Sequence, residues 1–258
     1  MSLGLNGSSA GANASGWKEI ARYDTAGTYT WTCPKTATYG VFVVGGGGGG
    51  GRLNATATSS VYCANGGASG FSNTGCFSKV QGNTVSVVVG QGGSGATAEA
   101  GTSGGQSNFG NLIASGGGAG SGSSGQKMAT GASGNYVQSS YTAGYDSGYG
   151  FYSYLSNNSY DTRYFASKPW LCINPFTMEQ CLGAGGSVNT NGGTLYRRSA
   201  GKNPITGLGG GGPSTAFNTS GEDATEFGCG GGACWGTSSS VRGGNGADGI
   251  VIIYEKLE

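Results

Sequence analysis

Seven consecutive glycines, residues 45–51, directly follow the short apolar run at residues 41–44. The apolar run predicts a buried β-strand, because short stretches of β-branched and aromatic residues suit the interior of a sheet. Each glycine loses more backbone entropy on folding than any other residue, roughly 0.5–1 kcal/mol relative to alanine. An ordered polyglycine segment has only its backbone groups with which to offset this cost.

Without Cβ atoms, extended segments can approach one another closely, and each buried N–H and C=O group then needs a partner. We therefore predict parallel and antiparallel segments in the threefold extended helix of the polyproline-II type, hydrogen-bonded sideways, because that helix has no internal hydrogen bonds. Further glycine blocks lie at residues 116–118, 209–212 and 230–232, and the apolar run at 249–254 predicts a closing strand. Strands at both ends are expected to hold this glycine framework.

The composition predicts a folded chain. Glycine makes up 58 of 258 residues, about 22%, against ~7% in average proteins, but the collagen repeat is absent. The hydrophobic fraction is 36% and the charged fraction only 10%, unlike a disordered chain. Since helical periodicity is also absent, the predicted fold class is all-β: a Gly-rich β-sandwich-like domain with polyglycine and polyproline-II-type segments and little or no helix.

Strand patterns occur before and after the glycine blocks. The predicted strands are residues 17–23, 28–33, 39–44 and 83–90, a hairpin at 106–115, and 249–254. Residues 52–75 form a polar segment, and residues 91–95 predict a turn.

The chain divides into a lead-in and one domain. Residues 1–16 predict a flexible lead-in, or in part residues added by cloning. Residues 17–258 predict a single Gly-rich domain in which residues 121–206 form a Tyr-rich insertion.

Charge and residue content exclude several classes of function. The net charge is +1 without a basic stripe, so no nucleic-acid partner is expected. No run of 18 apolar residues occurs, so no membrane insertion is expected. With no histidine, Ser-His-Asp and Cys-His nucleophilic sites are impossible. We predict no catalytic residue, no metal site and no cofactor.

Glu222, Asp223 and Glu226 form the one acidic cluster. A glycosidase would need two carboxyl groups about 5–9.5 Å apart, and calcium would need several oxygen ligands. The spacing fits neither a known loop nor a repeat, so a solvated polar loop is the expected interpretation.

Seven cysteines leave at least one thiol unpaired within a monomer. Neighbouring cysteines along the chain would each close a short loop if oxidised. These pairs are Cys63–Cys76, Cys172–Cys181 and Cys229–Cys234. The alternative is reduced cysteines buried as small apolar residues.

A Tyr-rich block lies inside the insertion, with eight of the fourteen tyrosines between residues 136 and 164. Tyrosine offers a large rigid surface with a polar tip, suited to stacking on a sugar ring. The candidate binding residues are Tyr136, Tyr141, Tyr145, Tyr149, Tyr152, Tyr154, Asn157, Tyr160, Asp161, Arg163, Tyr164 and Trp170. The alternative is that these rings supply core or trimer packing.

Four ordered segments resemble the glycine-rich domain of bacteriophage tail fibre and adhesin proteins. The opening motif at residues 26–34, the strand-then-polyglycine step at 39–51, the middle strand and loop at 86–93 and 104–110, and the closing strand at 243–254 carry the resemblance. It covers residues ~17–120 and ~207–254. The Tyr-rich block and Cys33 depart from the shared pattern.

The resemblance implies a non-catalytic receptor-binding domain at the distal end of a tail fibre on the virion. Its partner would be a bacterial surface receptor, either a glycan or an outer-membrane protein. A homotrimer is the expected assembly, and a monomeric tip adhesin is the alternative. The rival functions are a tail-associated polysaccharide depolymerase that uses carboxylates, and a Gly-rich structural or surface protein.

Overall fold

The computed structural model describes residues 16–54, 62–124, 171–172, 181–182, 185–191, 194–198, 200 and 208–257. These residues form sixteen strands, numbered β1–β16 along the chain, and contain no helix. The prediction of an all-β fold is therefore confirmed. No helix long and apolar enough to cross a bilayer occurs in this described part of the chain.

Sheet A contains four antiparallel strands in the order β1-β16-β3-β6. Its strands are β1 (Trp17–Tyr23), β16 (Ile250–Lys256), β3 (Ala37–Val44) and β6 (Ser72–Lys79). The sequence predicted all but β6, the first half of which falls in the polar segment. This strand lies at the sheet edge with alternating exposure, so its composition does not show the apolar signature of a buried strand.

Sheet B also contains four antiparallel strands, in the order β2-β7-β8-β9. Its strands are β2 (Gly27–Thr32), β7 (Thr84–Val89), β8 (Ser107–Phe109) and β9 (Leu112–Ala114). All four match predicted segments, including the hairpin formed by β8 and β9.

Sheets A and B pack face to face around one hydrophobic core. Trp31 and Phe109 from sheet B meet Tyr39, Val41 and Ile253 from sheet A, and all five are buried. The rings of Trp31 and Tyr39 pack edge to face with centroids 5.0 Å apart, a favourable aromatic geometry. This arrangement accounts for the β-sandwich expected from the sequence.

The opposite face of sheet A is buried as well. Phe42, Ile252 and Tyr254 lie in a second cluster, with Trp17 and Phe227 packed against it. Because both faces of β3 and β16 are buried, these two strands are continuous apolar runs rather than alternating ones.

The central glycine segment (residues 45–51) leaves β3 and runs away from the sandwich as an extended thread. Its N–H groups bond to three antiparallel neighbours in turn, at N···O distances of 2.8–3.0 Å. The N–H groups of Gly45, Gly48 and Gly51 donate to the first neighbour, residues 65–71. Those of Gly46 and Gly49 donate to the second, residues 102–105, and those of Gly47 and Gly50 to the third, residues 244–247. A three-residue repeat is the period of the polyproline-II helix, as predicted.

The carbonyl groups of the same segment accept from three parallel neighbours. Gly46 and Gly49 accept from residues 117–120, Gly47 and Gly50 from 93–96, and Gly48 and Gly51 from 231–234. Six threads therefore surround the central segment and are bonded to it through backbone groups. Residues 91–95, predicted as a turn, belong to one of these threads instead.

Close approach of the threads requires glycine throughout the central segment. A Cβ built on any of its seven residues would lie within 3.0 Å of a backbone atom of a neighbouring thread, a distance that real Cβ atoms essentially never show. Further threads at residues 209–214 and 221–228 extend the bundle through bonds to 230–233 and 242–248. We call the whole assembly of threads the glycine bundle.

A third group of strands lies at the far end of the bundle. Four of them form an antiparallel sheet in the order β10-β5-β13-β14, and β4 pairs in parallel with β15. They are β4 (Arg52–Leu53), β5 (Tyr62–Ala64), β10 (Gly122–Ser124), β13 (Ser187–Asn191), β14 (Thr194–Arg198) and β15 (Cys234–Trp235). Leu53, Ala64, Val188, Ala233 and Trp235 form a small buried cluster there.

The molecule consequently has two poles. At the base pole, where sheet A is farthest from the bundle, the N–H of Leu257 donates to the carbonyl of Gly16, and Trp17 pairs with Lys256. At the distal pole, the bundle ends in β4, β5, β10 and β15. Seven residues at ~3.1 Å each separate the distal strands from the sandwich by about 20 Å.

Two of the three cysteine pairs considered in the sequence, Cys63–Cys76 and Cys229–Cys234, are not disulfides, because the thiols of Cys76, Cys229 and Cys234 are free. Cys229 and Cys234 lie five residues apart on one extended thread, which places their Cα atoms about 15 Å apart at ~3.1 Å per residue. A disulfide requires less than ~7 Å. Cys63 and Cys76 belong to different sheets.

A disulfide between Cys172 and Cys181, the third pair, stays a hypothesis beside the alternative of reduced cysteines. β11 (Leu171–Cys172) and β12 (Cys181–Leu182) pair antiparallel, and Cys172 stands opposite Cys181 in the backbone register. Directly opposed residues in such a pair have Cα atoms ~4.5–5.5 Å apart, within the range that a disulfide spans.

Candidate binding surface

All the candidate binding residues of the Tyr-rich block, Tyr136 to Trp170, lie outside the described residues, so their role stays a prediction. The part of the insertion that is described begins at the distal pole. Residues 122–124 form β10 and pair with β5. β13 pairs with the other side of β5, so the insertion both leaves from this pole and contributes strands to it.

Three loops connect threads at the distal pole, and we call residues 97–99, 215–220 and 236–241 the distal loops. Arg52, at the end of the central segment, holds two of them together. Its Nε donates to the carbonyl of Gly236 at 3.1 Å, and its guanidinium nitrogens donate to the carbonyls of Thr97 at 2.5 Å and Ser238 at 2.9 Å. Arg52 is only 4% exposed, so these carbonyls replace the water that its charge would otherwise bind.

Asn218 fixes the second loop against the third. It is the one non-glycine residue with positive φ in the described part of the chain, at 59°, a conformation that asparagine tolerates better than most residues. Its Oδ1 accepts from the N–H groups of Thr237 and Ser238 at 2.8 and 3.1 Å. Its own N–H donates to the carbonyl of Trp235 at 2.8 Å. These bonds leave the loops little freedom to rearrange.

Phe217, next to Asn218, presents an aromatic ring at the distal surface. Its ring is packed edge-on against Trp235, with centroids 4.9 Å apart. Trp235 is 4% exposed, whereas Phe217 is 38% exposed. The buried indole thus supports a partly exposed phenyl ring. Apart from Ala216, the exposed neighbours on the loops at 215–220 and 236–241 bear hydroxyl or amide groups: Thr215, Asn218, Ser220, Thr237, Ser239 and Ser240.

The acidic cluster identified in the sequence has structural partners. Asp223 forms a two-point ion pair with Arg242 at 2.9 and 3.2 Å and accepts the N–H of Asn245 at 2.7 Å. Glu222 accepts the N–H of Gly212 at 3.1 Å. The three carboxyl groups bind different partners, and no group of three His, Cys, Asp or Glu side chains within the described ranges is arranged to hold a metal ion.

Two of these carboxyl groups have pKa values shifted in opposite directions. The hydrogen bond from Arg242 is the main cause that lowers the pKa of Asp223. Burial beside Phe227 raises the pKa of Glu226, partly offset by the bond from the Phe227 N–H. A carboxyl group with a lowered pKa stabilises the fold above its ordinary pKa, whereas one with a raised pKa destabilises the fold once it ionises.

We expect Asp223→Asn and Glu226→Gln to change the free energy of unfolding in opposite directions and in a pH-dependent way, because each change removes a charge and keeps an acceptor oxygen. At pH 7, Asp223→Asn should lower the free energy of unfolding by up to about 1 kcal/mol, the scale of half-exposed ion pairs, and Glu226→Gln should raise it. The effect of Asp223→Asn should shrink as the pH falls below the ordinary aspartate pKa of ~3.9, because Asp223 then becomes protonated. The effect of Glu226→Gln should shrink at higher pH, as the pH falls through the raised pKa of Glu226 toward the ordinary glutamate value of ~4.3. Urea unfolding at several pH values measures this; differences independent of pH would contradict these assignments.

The sequence profile of a glycine-rich domain family matches residues 24–255. The match covers most of the chain, including sheet B, the strands of sheet A other than β1, and every thread of the bundle. The chain belongs to this glycine-rich domain family. No curated protein sequence matches it. The segments that suggested a resemblance to tail fibre proteins all fall inside the matched range, and the match identifies a glycine-rich domain.

Sequence reasoning missed the distal loops as a possible site. Phe217, Asn218 and Arg52 stand in segments of low complexity, where no motif marks them. The signals were weak but present: Phe217 is the one aromatic residue of residues 208–220, Trp235 directly precedes the loop at 236–241, and Arg52 is the first charged residue after seven glycines. Only the three-dimensional pairing of the threads places residues 52, 97, 218 and 238 at one pole.

Proposed function

We propose that this glycine-rich domain is the receptor-binding domain at the distal end of a phage tail fibre. It attaches, without catalysis, to a glycan or an outer-membrane protein on the bacterial surface. The observation that carries the proposal is the separation of the two poles. Both ends of the described chain, Gly16 and Leu257, lie at the base pole. The distal loops and the start of the Tyr-rich insertion lie about 20 Å beyond the sandwich.

The glycine bundle suits such a function for a physical reason. Its threads are held by backbone hydrogen bonds, so the fold makes few demands on the side chains of the loops that join them. Binding residues are commonly found on loops that a rigid scaffold positions. Loops at the distal pole can therefore change their sequence, and with it the receptor, while the scaffold stays intact.

The Tyr-rich block is proposed to supply much of the receptor contact. Tyrosine gives a large contact area at low conformational entropy cost, and Asn157, Asp161 and Arg163 provide polar groups among the rings. A homotrimer is the assembly that we propose, which would repeat the site three times around the fibre axis. Light scattering of the purified chain distinguishes a trimer from a monomeric tip adhesin.

Binding of the fluorescently labelled chain to a panel of bacterial strains tests the function. Among strains that bind the intact chain, replacing Tyr149, Tyr152, Tyr154 and Tyr160 together by serine should reduce binding at least about tenfold, since interface aromatics carry much of the binding energy. Replacing the same four residues by phenylalanine, which keeps the rings, is the matched control and should retain more binding. Thermal unfolding checks that both variants fold.

If no strain in a broad panel binds the intact, folded chain, the proposed function is wrong. If strains bind and the serine variant binds as well as the intact chain, the Tyr-rich block is not the receptor site. Release of new reducing ends from the surface polysaccharide of a bound strain would replace the non-catalytic assignment with a depolymerase.

A further inference from the structure

A second surface at the distal pole, formed by residues outside the Tyr-rich block, has the features of a ligand site. Phe217 exposes more than a third of its surface on a loop whose other exposed residues are polar or small. Its ring cannot turn into the core, because the edge-on contact with Trp235 occupies that side. The surface therefore holds an aromatic ring in water in a fixed position.

The backbone around this ring is held in place before any ligand arrives. Asn218 bonds the loop of Phe217 to the loop of Thr237 and Ser238. Arg52 holds that second loop from below through Gly236 and Ser238. A surface that is already ordered loses little conformational entropy on binding, so weak contacts can yield a useful affinity.

The chemistry of the two loops indicates the class of ligand. Residues 215–220 and 236–241 contain no Asp, Glu, Lys or Arg, so they offer no formal charge to an ionic partner. They offer one aromatic ring surrounded by hydroxyl and amide groups. A pyranose has the complementary surface, with C–H groups on one face of the ring and hydroxyl groups around its edge.

We propose that Phe217 and the loops at 215–220 and 236–241 bind a neutral glycan, with one sugar ring stacked on the exposed phenyl face. The hydroxyl groups of Thr237 and Ser239 and the side-chain amide of Asn218 bond to its hydroxyl groups. The inference rests on the proposed function, because a bacterial surface glycan is one of the two receptor classes named there. The inference narrows the receptor to a glycan that contains a neutral sugar, and it adds binding residues outside the Tyr-rich block.

A printed array of neutral and acidic bacterial polysaccharides, probed with the intact labelled chain, tests the ligand class. We expect retention on neutral polysaccharides. Saturation-transfer NMR on a fragment of a retained polysaccharide should then show transfer to the C–H protons of one sugar residue. For that fragment, Phe217→Ala should weaken binding at least about tenfold, whereas Phe217→Tyr should retain binding.

Ile113→Ala is the matched control, because Ile113 is also an exposed apolar residue, at 46%, but lies on the outer side of sheet B. It should leave binding unchanged. Equal binding by Phe217→Ala and the intact chain would overturn the inference, as would retention on acidic polysaccharides alone.

Strain binding separates this inference from the proposed function. If strains bind the intact chain but binding is lost after protease treatment of the cells and no polysaccharide is retained, the receptor is a protein. The glycan inference then fails while the receptor-binding function stands. If neither strains nor polysaccharides bind, both fail.

Discussion

Replacing Gly48 by alanine is expected to abolish the native fold. The N–H of Gly48 donates to the carbonyl of Ala68 at 2.8 Å, and its carbonyl accepts from Gly231 at 2.9 Å. A Cβ would overlap the carbonyl group of Gly118. That carbonyl cannot simply move away, because it accepts the N–H of Ala68 at 3.0 Å. Making room for one methyl group therefore requires several backbone hydrogen bonds to break together.

The magnitude follows from the competing terms. Glycine to alanine lowers the entropy of the unfolded chain and favours folding by about 0.4–1 kcal/mol where alanine fits. Here it does not fit, and the loss of several buried backbone hydrogen bonds, at roughly 1–3 kcal/mol for each unsatisfied group, exceeds that gain. We expect a loss of more than about 4 kcal/mol in the free energy of unfolding, a large part of the stability of an ordinary domain.

Gly82→Ala is the matched control for Gly48→Ala. Gly82 has a φ of 83°, and no neighbouring atom lies within 4 Å of the position that an alanine methyl group would take. Alanine there costs only the strain of a left-handed conformation, about 1–2 kcal/mol. Denaturant unfolding followed by circular dichroism measures both variants. Equal stabilities of the two variants would contradict the packing of the glycine bundle.

Arg52→Ala is expected to loosen the distal pole. The guanidinium is buried and donates to the carbonyls of three residues, Thr97, Gly236 and Ser238. Its removal leaves these acceptors without their charged donor, and hydrogen bonds to charged groups contribute ~1.5–3 kcal/mol each. We expect a loss of about 3–5 kcal/mol in the free energy of unfolding. We also expect faster amide hydrogen exchange at residues 236–241, because those bonds hold this loop.

Arg242→Ala is the matched control. Like Arg52, Arg242 has a charged guanidinium with hydrogen-bond partners, but its ion pair with Asp223 lies at the surface. The side chain of Arg242 is 40% exposed and that of Asp223 is 49% exposed. Exposed ion pairs contribute at most about 1 kcal/mol, so its loss should be small. Arg52→Lys should fall between the two, since an ammonium group lacks the planar fork that reaches several acceptors. A stability of Arg52→Ala within about 1 kcal/mol of the wild type would contradict this role of Arg52.

The extended conformation and the sideways hydrogen bonding of the glycine segments could be predicted, because polyglycine leaves few physical solutions. A segment such as residues 45–51 has no side chain to bury, so only sideways backbone bonding can order it. The apolar strands β3 and β16 were equally clear, since burial on both faces makes them continuous apolar runs. In these elements, the residue types present locally are the ones that the folded environment requires.

Other features depend on pairings that local sequence does not encode. β6 is an edge strand whose polar residues face solvent, so its register against β3 is set by the partner. Residues 91–95 look like a turn because glycine and serine suit turns, yet the same residues also suit an extended thread. Arg52 meets Gly236 and Ser238 across more than 180 residues of chain. Threads of nearly identical glycines give no local signal of which neighbours they will have.

Receptor binding at the distal pole is tested most directly by shielding one pole at a time. An azide-bearing residue replaces either Thr237, exposed on a distal loop, or Val80, which is 59% exposed near the base pole. The same polyethylene glycol chain is then attached at each site, and binding to a receptive bacterial strain is measured. We expect the polymer at position 237 to abolish binding and the polymer at position 80 to leave it unchanged. Binding that survives shielding at position 237 but is lost at position 80 would contradict the assignment of the distal pole.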